Sequence, residues 1–238
     1  MKIAITQLHY LGIIILILNR TLREAMFLKK ITKSSCLFGL VAMAVAFVRA
    51  EPAMADVYVG IDLGFAQADM KAEQTASRLA TLSGSTVTYV YDEAVGYLRG
   101  YVGFPINENF SLEGGYFNTG SLDATYTIGG ASATESYDAD GFDLTAVVRA
   151  DDYDKGGIYG RAGLHFSELS GAASITIGGT TYNIASQSAS GTGTVFGGGY
   201  ELEKSADGTG IRLGVDYYSS IGGLDDADFT LFYAGFMF

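Results

Sequence analysis

Eight stretches of this chain place apolar side chains at every second position and keep their charges in the phase between, which is the period of a pleated strand. At the start, Val57, Val59, Ile61, Leu63 and Phe65 alternate with Tyr58, Gly60, Asp62 and Gly64. The rule returns in 94–104 (Leu98, Val102 and Phe104 against Arg99), 110–117 (Phe110, Leu112 and Tyr116 against Glu113) and 141–150 (Phe142, Leu144, Ala146 and Val148 against Asp143 and Arg149). In 157–166, Ile158, Ala162, Leu164 and Phe166 oppose Arg161 and His165. In 192–202, Phe196, Tyr200 and Leu202 oppose Glu201, and in 210–218, Ile211, Leu213, Val215 and Tyr217 oppose Arg212 and Asp216. The eighth stretch puts Phe232, Phe236 and Phe238 on one face.

The connections alternate in length. Pro105–Asn109, Asp151–Gly156 and Glu203–Gly208 are short and rich in turn-forming residues. Those at roughly 67–92, 118–140, 168–190 and 219–227 are mostly much longer, and the middle two carry Ile-Gly-Gly turns at 128–130 and 177–179. An even-stranded meander with short turns at one end and long loops at the other predicts an all-β fold: an eight-stranded antiparallel up-and-down transmembrane barrel. Thr, Tyr and Ile in the long loops suggest that strands continue past the membrane as hairpins, with edges open to another chain.

Alternation by itself also describes a soluble barrel of the lipocalin kind, whose charged phase faces water. Asp62, Arg99, Glu113, Asp143, Arg149, Arg161, Glu201, Arg212 and Asp216 share one phase, so four arginines meet five carboxylates if that phase points inward. Their near balance suits a closed interior, where an unpaired charge is costly. The opposite phase then forms an apolar belt, and the terminal aromatic strand faces lipid.

An export signal favours the second arrangement. From Met26 the chain has a basic start (Lys29, Lys30, Lys33), an apolar run from Cys36 to Val48 and a small-residue cleavage site, Ala53-Met54-Ala55, with Val48-Arg49-Ala50 as a weaker site. The organisation expected is a doubtful leader or upstream mis-start over 1–25, a signal peptide over 26–55 and the barrel over 56–238. From Asp56 onward, 8 Lys and Arg stand against 24 Asp and Glu, a net charge of −16 that excludes nucleic acid as a partner.

The chain resembles the small OmpA/OmpX-type outer-membrane β-barrel family. The resemblance covers essentially all of 56–238 and rests on Phe238 with alternating Phe236 and Phe232, and on "RGYVGFPINENFSLEGGYF" (99–117), which is similar to that family's second and third strands and their short turn. It implies that Phe232, Phe236 and Phe238 are read by the barrel assembly machinery and that Glu113 anchors an interior charge network. Arg99, Arg149 or Arg161 is the partner expected for Glu113. The longer family members carry a periplasmic peptidoglycan-binding domain that a chain ending at Phe238 would lack.

Little in the sequence points to chemistry. His165 is the sole histidine after processing, and it falls in the inward phase near Arg161, the place of a polar interior residue rather than of a catalytic base. Asp225, Asp226 and Asp228 read as a solvated loop tip more readily than a calcium site. Gly191–Gly199 lacks phosphate-loop spacing, and no His/Cys metal set exists. The expectations are no cofactor, no metal and no enzyme activity. The partners expected are outer-membrane lipid, lipopolysaccharide, the assembly machinery and an extracellular ligand of the loops. Two functions stay open: a structural or adhesive barrel, and a narrow gated pore through the charged interior.

Overall fold

The computed structural model describes residues 57–68, 71–151, 155–205, 208–225 and 227–238. The leader and signal segments, with Cys36, lie outside them. Eight strands form the barrel: β1 (Tyr58–Gln67), β3 (Ala94–Pro105), β4 (Phe110–Thr119), β6 (Ala131–Arg149), β7 (Gly157–Ile177), β8 (Thr180–Glu201), β9 (Gly210–Tyr218) and β10 (Phe229–Met237). Each pairs antiparallel with its neighbours, and β1 pairs with β10, so the sheet closes and leaves no edge within the wall.

Burial gives the barrel its sense. Along β1, Tyr58, Asp62 and Ala66 are buried, whereas Val59, Ile61, Leu63 and Phe65 are about half exposed. The apolar phase therefore lines the outside of every barrel strand, a surface that suits hydrocarbon and not water. Aromatic rings band it on the side of the long connections: Phe65 stacks on Phe232 at 5.1 Å, Tyr116 meets Phe142 at 5.0 Å and Phe196 meets Tyr217 at 5.1 Å. Tyr200, Phe236 and Phe238 form a second exposed group nearer the short turns. No helix among the described residues is long and apolar enough to cross a membrane.

Inward glycines make room for large rings and guanidinium groups. A Cβ on Gly60 would lie 2.2 Å from the Tyr101 ring, and one on Gly103 would lie 2.0 Å from that of Tyr58. The many glycines of the polar phase thus serve packing.

Beyond the aromatic band the wall becomes a projecting sheet. β6, β7 and β8 have 19, 21 and 22 residues, about twice what a tilted strand needs to cross a bilayer. Two further strands, β5 (Leu122–Ile128) and β2 (Val87–Tyr91), extend the sheet beside β6 in the order β2-β5-β6. The β5–β6 and β7–β8 hairpins turn on Gly129-Gly130 and Gly178-Gly179, whose positive φ values suit tight two-residue turns.

A helix, α1 (Ala72–Ser83), lies within 67–92, a segment expected to be loop. Ala72, Ala76 and Leu79 recur at i, i+4 and i+7, and Gly84 ends the helix in the left-handed region. Its buried face joins Ala124, Tyr126, Ile128, Ala133, Ala173 and Ile175 in one apolar cluster. Ala133 belongs to the phase of β6 that faces the barrel interior lower down, so α1 packs on the continuation of the inner wall.

Candidate functional site: the charged barrel interior

All ten inward residues singled out above are buried: Asp62, Arg99, Glu113, His165 and Arg212 at 0% exposure, and Asp143, Arg149, Arg161, Glu201 and Asp216 at 5% or less. They do not form a single uniform set. Glu113 is a hub on β4: its Oε1 accepts from Arg212 at 2.8 Å and from the Tyr58 hydroxyl at 2.9 Å, and its Oε2 accepts from Arg99 at 3.3 Å. Arg161 approaches the same carboxylate at 3.9 Å. Asp62 receives Arg212 through two nitrogens, at 3.0 and 2.8 Å, and Arg99 at 3.2 Å. Arg99 also holds Asp143 in a two-pronged bond at 2.8 and 2.7 Å, where the planar guanidinium matches both carboxylate oxygens.

Arg212 is the closest partner of Glu113, and it was absent from the expected pairings. Arg149, one of the expected partners, pairs with Glu201 and not with Glu113. It donates to Glu201 at 2.6 and 3.0 Å, and reaches Glu113 through Tyr58, whose oxygen accepts from Arg149 at 3.2 Å. Register explains the outcome. Arg212 lies opposite Gly235 on β10, Gly235 lies opposite Asp62 on β1, and a Cβ on Gly235 would sit 2.1 Å from Asp62. That gap lets the Arg212 side chain reach across, a relation that only strand pairing reveals.

Aromatic residues complete the network. Tyr218 accepts from Arg161 at 2.7 Å and donates to Asp143 at 2.9 Å, and Tyr233 donates to Asp216 at 3.3 Å. Arg212 and Arg99 both lie over the Tyr101 ring, at 4.1 and 4.6 Å. Among the buried guanidinium groups described, Arg161 is the least satisfied, with Nε and Nη1 lacking a hydrogen-bond partner while Nη2 lies 3.0 Å from Asp216.

Above the charges, towards the long connections, an apolar layer fills the barrel: Phe117, Leu122, Val195, Tyr218, Ile221 and Leu231 are each at most 1% exposed. His165 lies at this level, beside the Phe117 and Tyr218 rings. Its Nε2 lies 2.7 Å from the Ser219 carbonyl, which can only accept, so Nε2 carries the proton and Nδ1 accepts from the Ser167 hydroxyl at 3.1 Å. Ser167 Oγ in turn accepts the Gly222 amide at 2.9 Å. His165 and Ser167 thereby tie the β9–β10 connection down, with Ile221 and Gly222 buried in the barrel mouth. Sequence reasoning did not single out Ser167 or Ile221. The i, i+2 spacing of His165 and Ser167 on one inward face was the available signal.

The acidic tip at 225–228 is partly accounted for. Asp228 accepts from the Tyr217 hydroxyl at 2.6 Å and from the Ser220 amide at 2.9 Å, so it closes a loop; Asp226 lies outside the described residues. No group of metal-ligating side chains occurs among the described residues. Outward on β10, Phe236 stands exposed and Phe232 half-buried, and Phe238, just past its end, is exposed.

Residues 52–233 match the family model for the OmpA-like transmembrane domain. Among solved structures, the chain is similar to Ail, the attachment invasion locus protein of Yersinia pestis, at 14% identity over 77% of this chain and 100% of that one, with a TM-score of 0.41. It is similar to the Neisserial surface protein A at 15% identity over 78% and 98%, TM-score 0.39. For the outer membrane protein OprG of Pseudomonas aeruginosa the identity is 11% over 78% and 97%, TM-score 0.41. No curated protein matches in sequence. With a closed eight-stranded wall, a lipid-facing outer phase and a family match over most of its length, the chain belongs to the OmpA-like transmembrane domain family and is an integral β-barrel protein of the outer membrane.

Proposed function

We propose that the protein is a structural and adhesive barrel, whose interior ion pairs hold the wall closed while its four long connections present a folded platform outside the cell. The observation that carries this reading is the contrast between the two ends of the molecule. Within the wall, guanidinium groups, carboxylates and aromatic rings fill the space, and the β9–β10 connection is bonded into the mouth. Beyond it, strands of about twice the crossing length build a sheet with a helix on one face. A pore gains nothing from such a superstructure; a display surface is made of it.

In this reading lipid and lipopolysaccharide surround the aromatic bands, and the outward Phe232, Phe236 and Phe238 are the strand read by the barrel assembly machinery. His165 acts as a latch and has no part in catalysis. Planar-bilayer recordings of the refolded protein and of Glu113→Ala test the closed interior, with no stepwise conductance expected from either. Steady unitary currents from the unaltered protein restore the pore reading. Cells carrying a version shortened across 168–190 should keep heat-modifiable gel mobility and lose attachment to host-matrix or abiotic surfaces; undiminished attachment refutes the adhesive role.

A further inference from the structure

The projecting sheet has an open edge at β2, and beside it lies a groove of about 600 Å³ between α1 and β2, lined by Glu73, Ala76, Ala80, Val87 and Tyr89 among others. The hydrogen-bonding phase of this edge follows from one contact. Asp92 donates its amide to the Asp123 carbonyl at 2.9 Å, and β2 pairs with β5 in the register Tyr91↔Ala124. Backbone groups alternate between the two sides of an antiparallel strand, so Thr88 and Val90 face β5. Val87, Tyr89 and Tyr91 therefore turn their amides and carbonyls to the far edge, with which no strand pairs among the described residues. The rings of Tyr89 and Tyr91 stack at 6.2 Å, and both remain more than a third exposed.

We infer that the far edge of β2 takes up an extended, basic peptide segment as an added strand. The inference rests on the adhesive reading above and specifies its partner. Main-chain groups at 87, 89 and 91 supply the pairing, and alternate side chains of the guest fall on the groove and the tyrosine rings. Charge selects the guest. Glu73 lines the groove, and Asp92 and Glu93 follow directly on β2, in a chain with 24 acids and 8 Lys and Arg from residue 56 onward. A guest with Lys or Arg at every second position places cations over the Tyr89 and Tyr91 faces and beside Glu73 of the groove. A second copy of this chain brings the same acids and is repelled.

The test uses the full-length protein refolded in detergent and a fluorescein-labelled eight-residue peptide alternating Lys and Thr, read by fluorescence anisotropy at low salt. Binding at least tenfold tighter than that of the matching Glu-Thr peptide is expected, weakening as salt rises. Tyr89→Pro removes an amide from the far edge and none from the β5 ladder, so it should weaken binding at least tenfold while gel mobility is unchanged. Should that variant fail to fold, the unaltered protein with peptides N-methylated in one phase or the other gives the same information: one phase loses binding and the other keeps it. Equal binding by both N-methylated phases, or equal binding of the Glu-Thr peptide, overturns the inference. Cells that adhere through a protein indifferent to the basic peptide refute the edge alone; a protein that binds it on cells that do not adhere refutes the adhesive role alone.

Discussion

Glu113→Gln and Asp216→Asn make the same change to the interior charge count, and the structure predicts that their costs differ. Among the described residues the barrel encloses four arginines and five carboxylates, so either substitution leaves four against four. If net charge governed stability, both would be neutral or helpful. Geometry says otherwise. Glu113 accepts from Arg212 and Arg99 and receives the Tyr58 hydroxyl, with Arg161 at 3.9 Å, so its loss leaves buried guanidinium groups facing an amide that also donates. Breaking a buried ion cluster on one side costs about 3–5 kcal/mol. Asp216 lies 3.0 Å from Arg161 without a hydrogen bond between them and accepts one hydroxyl, from Tyr233 at 3.3 Å, so its neutralisation should cost about 1.5–3 kcal/mol, the range of a hydrogen bond to a charged group. The assay is the urea concentration at which the folded gel mobility of the refolded protein is half lost. The chain has no Trp, which rules out intrinsic tryptophan fluorescence as the readout. An Asp216→Asn variant as unstable as Glu113→Gln, or a Glu113→Gln variant as stable as the unaltered protein, would refute the view that local pairing decides the interior.

Glu135, on the inner face of the projecting sheet, is buried to 6% exposure, and desolvation pushes its carboxyl up to about 7. The folded state therefore keeps a proton that the unfolded state releases near pH 4.5, so packing in this region should weaken as pH rises from about 4.5 to 7, by of order 3 kcal/mol, and level off above. Hydrogen exchange of α1 amides should show that slope, and Glu135→Gln should abolish it; a slope of opposite sign refutes the assignment. Ser167→Ala removes the acceptor of the Gly222 amide and should cost about 1–3 kcal/mol of local stability, seen as faster exchange of that amide with the barrel amides unchanged. Phe238→Ala should lower the yield of assembled protein in cells while leaving the refolded barrel's urea midpoint within about 0.5 kcal/mol, because an outward terminal ring contributes little packing. An equal fall in both would mean that Phe238 stabilises the wall itself.

The barrel was legible in the sequence because a pleated strand has a period of two residues, and a side chain's phase decides its face without reference to any other strand. Leu63 and Asp62 had opposite environments as soon as one phase was known to carry the charges, and Gly-Gly at 129–130 and 178–179 marked hairpins by backbone conformation alone. Which charge met which was not legible. Arg212 reaches Asp62 across β10 because Gly235 leaves room, and that depends on the shear of a closed sheet, not on sequence spacing. For the same reason Arg149 went to Glu201 and met Glu113 only through Tyr58. α1 carried its own local signal in Ala72, Ala76, Leu79 and Gly84, but a helix of 12 residues is marginal by itself and forms here on the inner face of strands β5, β6 and β7. Period and charge phase, being local, determined the wall, and the export signal with the terminal aromatic strand favoured its sense; the pairing of charges, the helix and the open edge of β2 awaited the tertiary structure, because each depends on strands distant in sequence lying side by side.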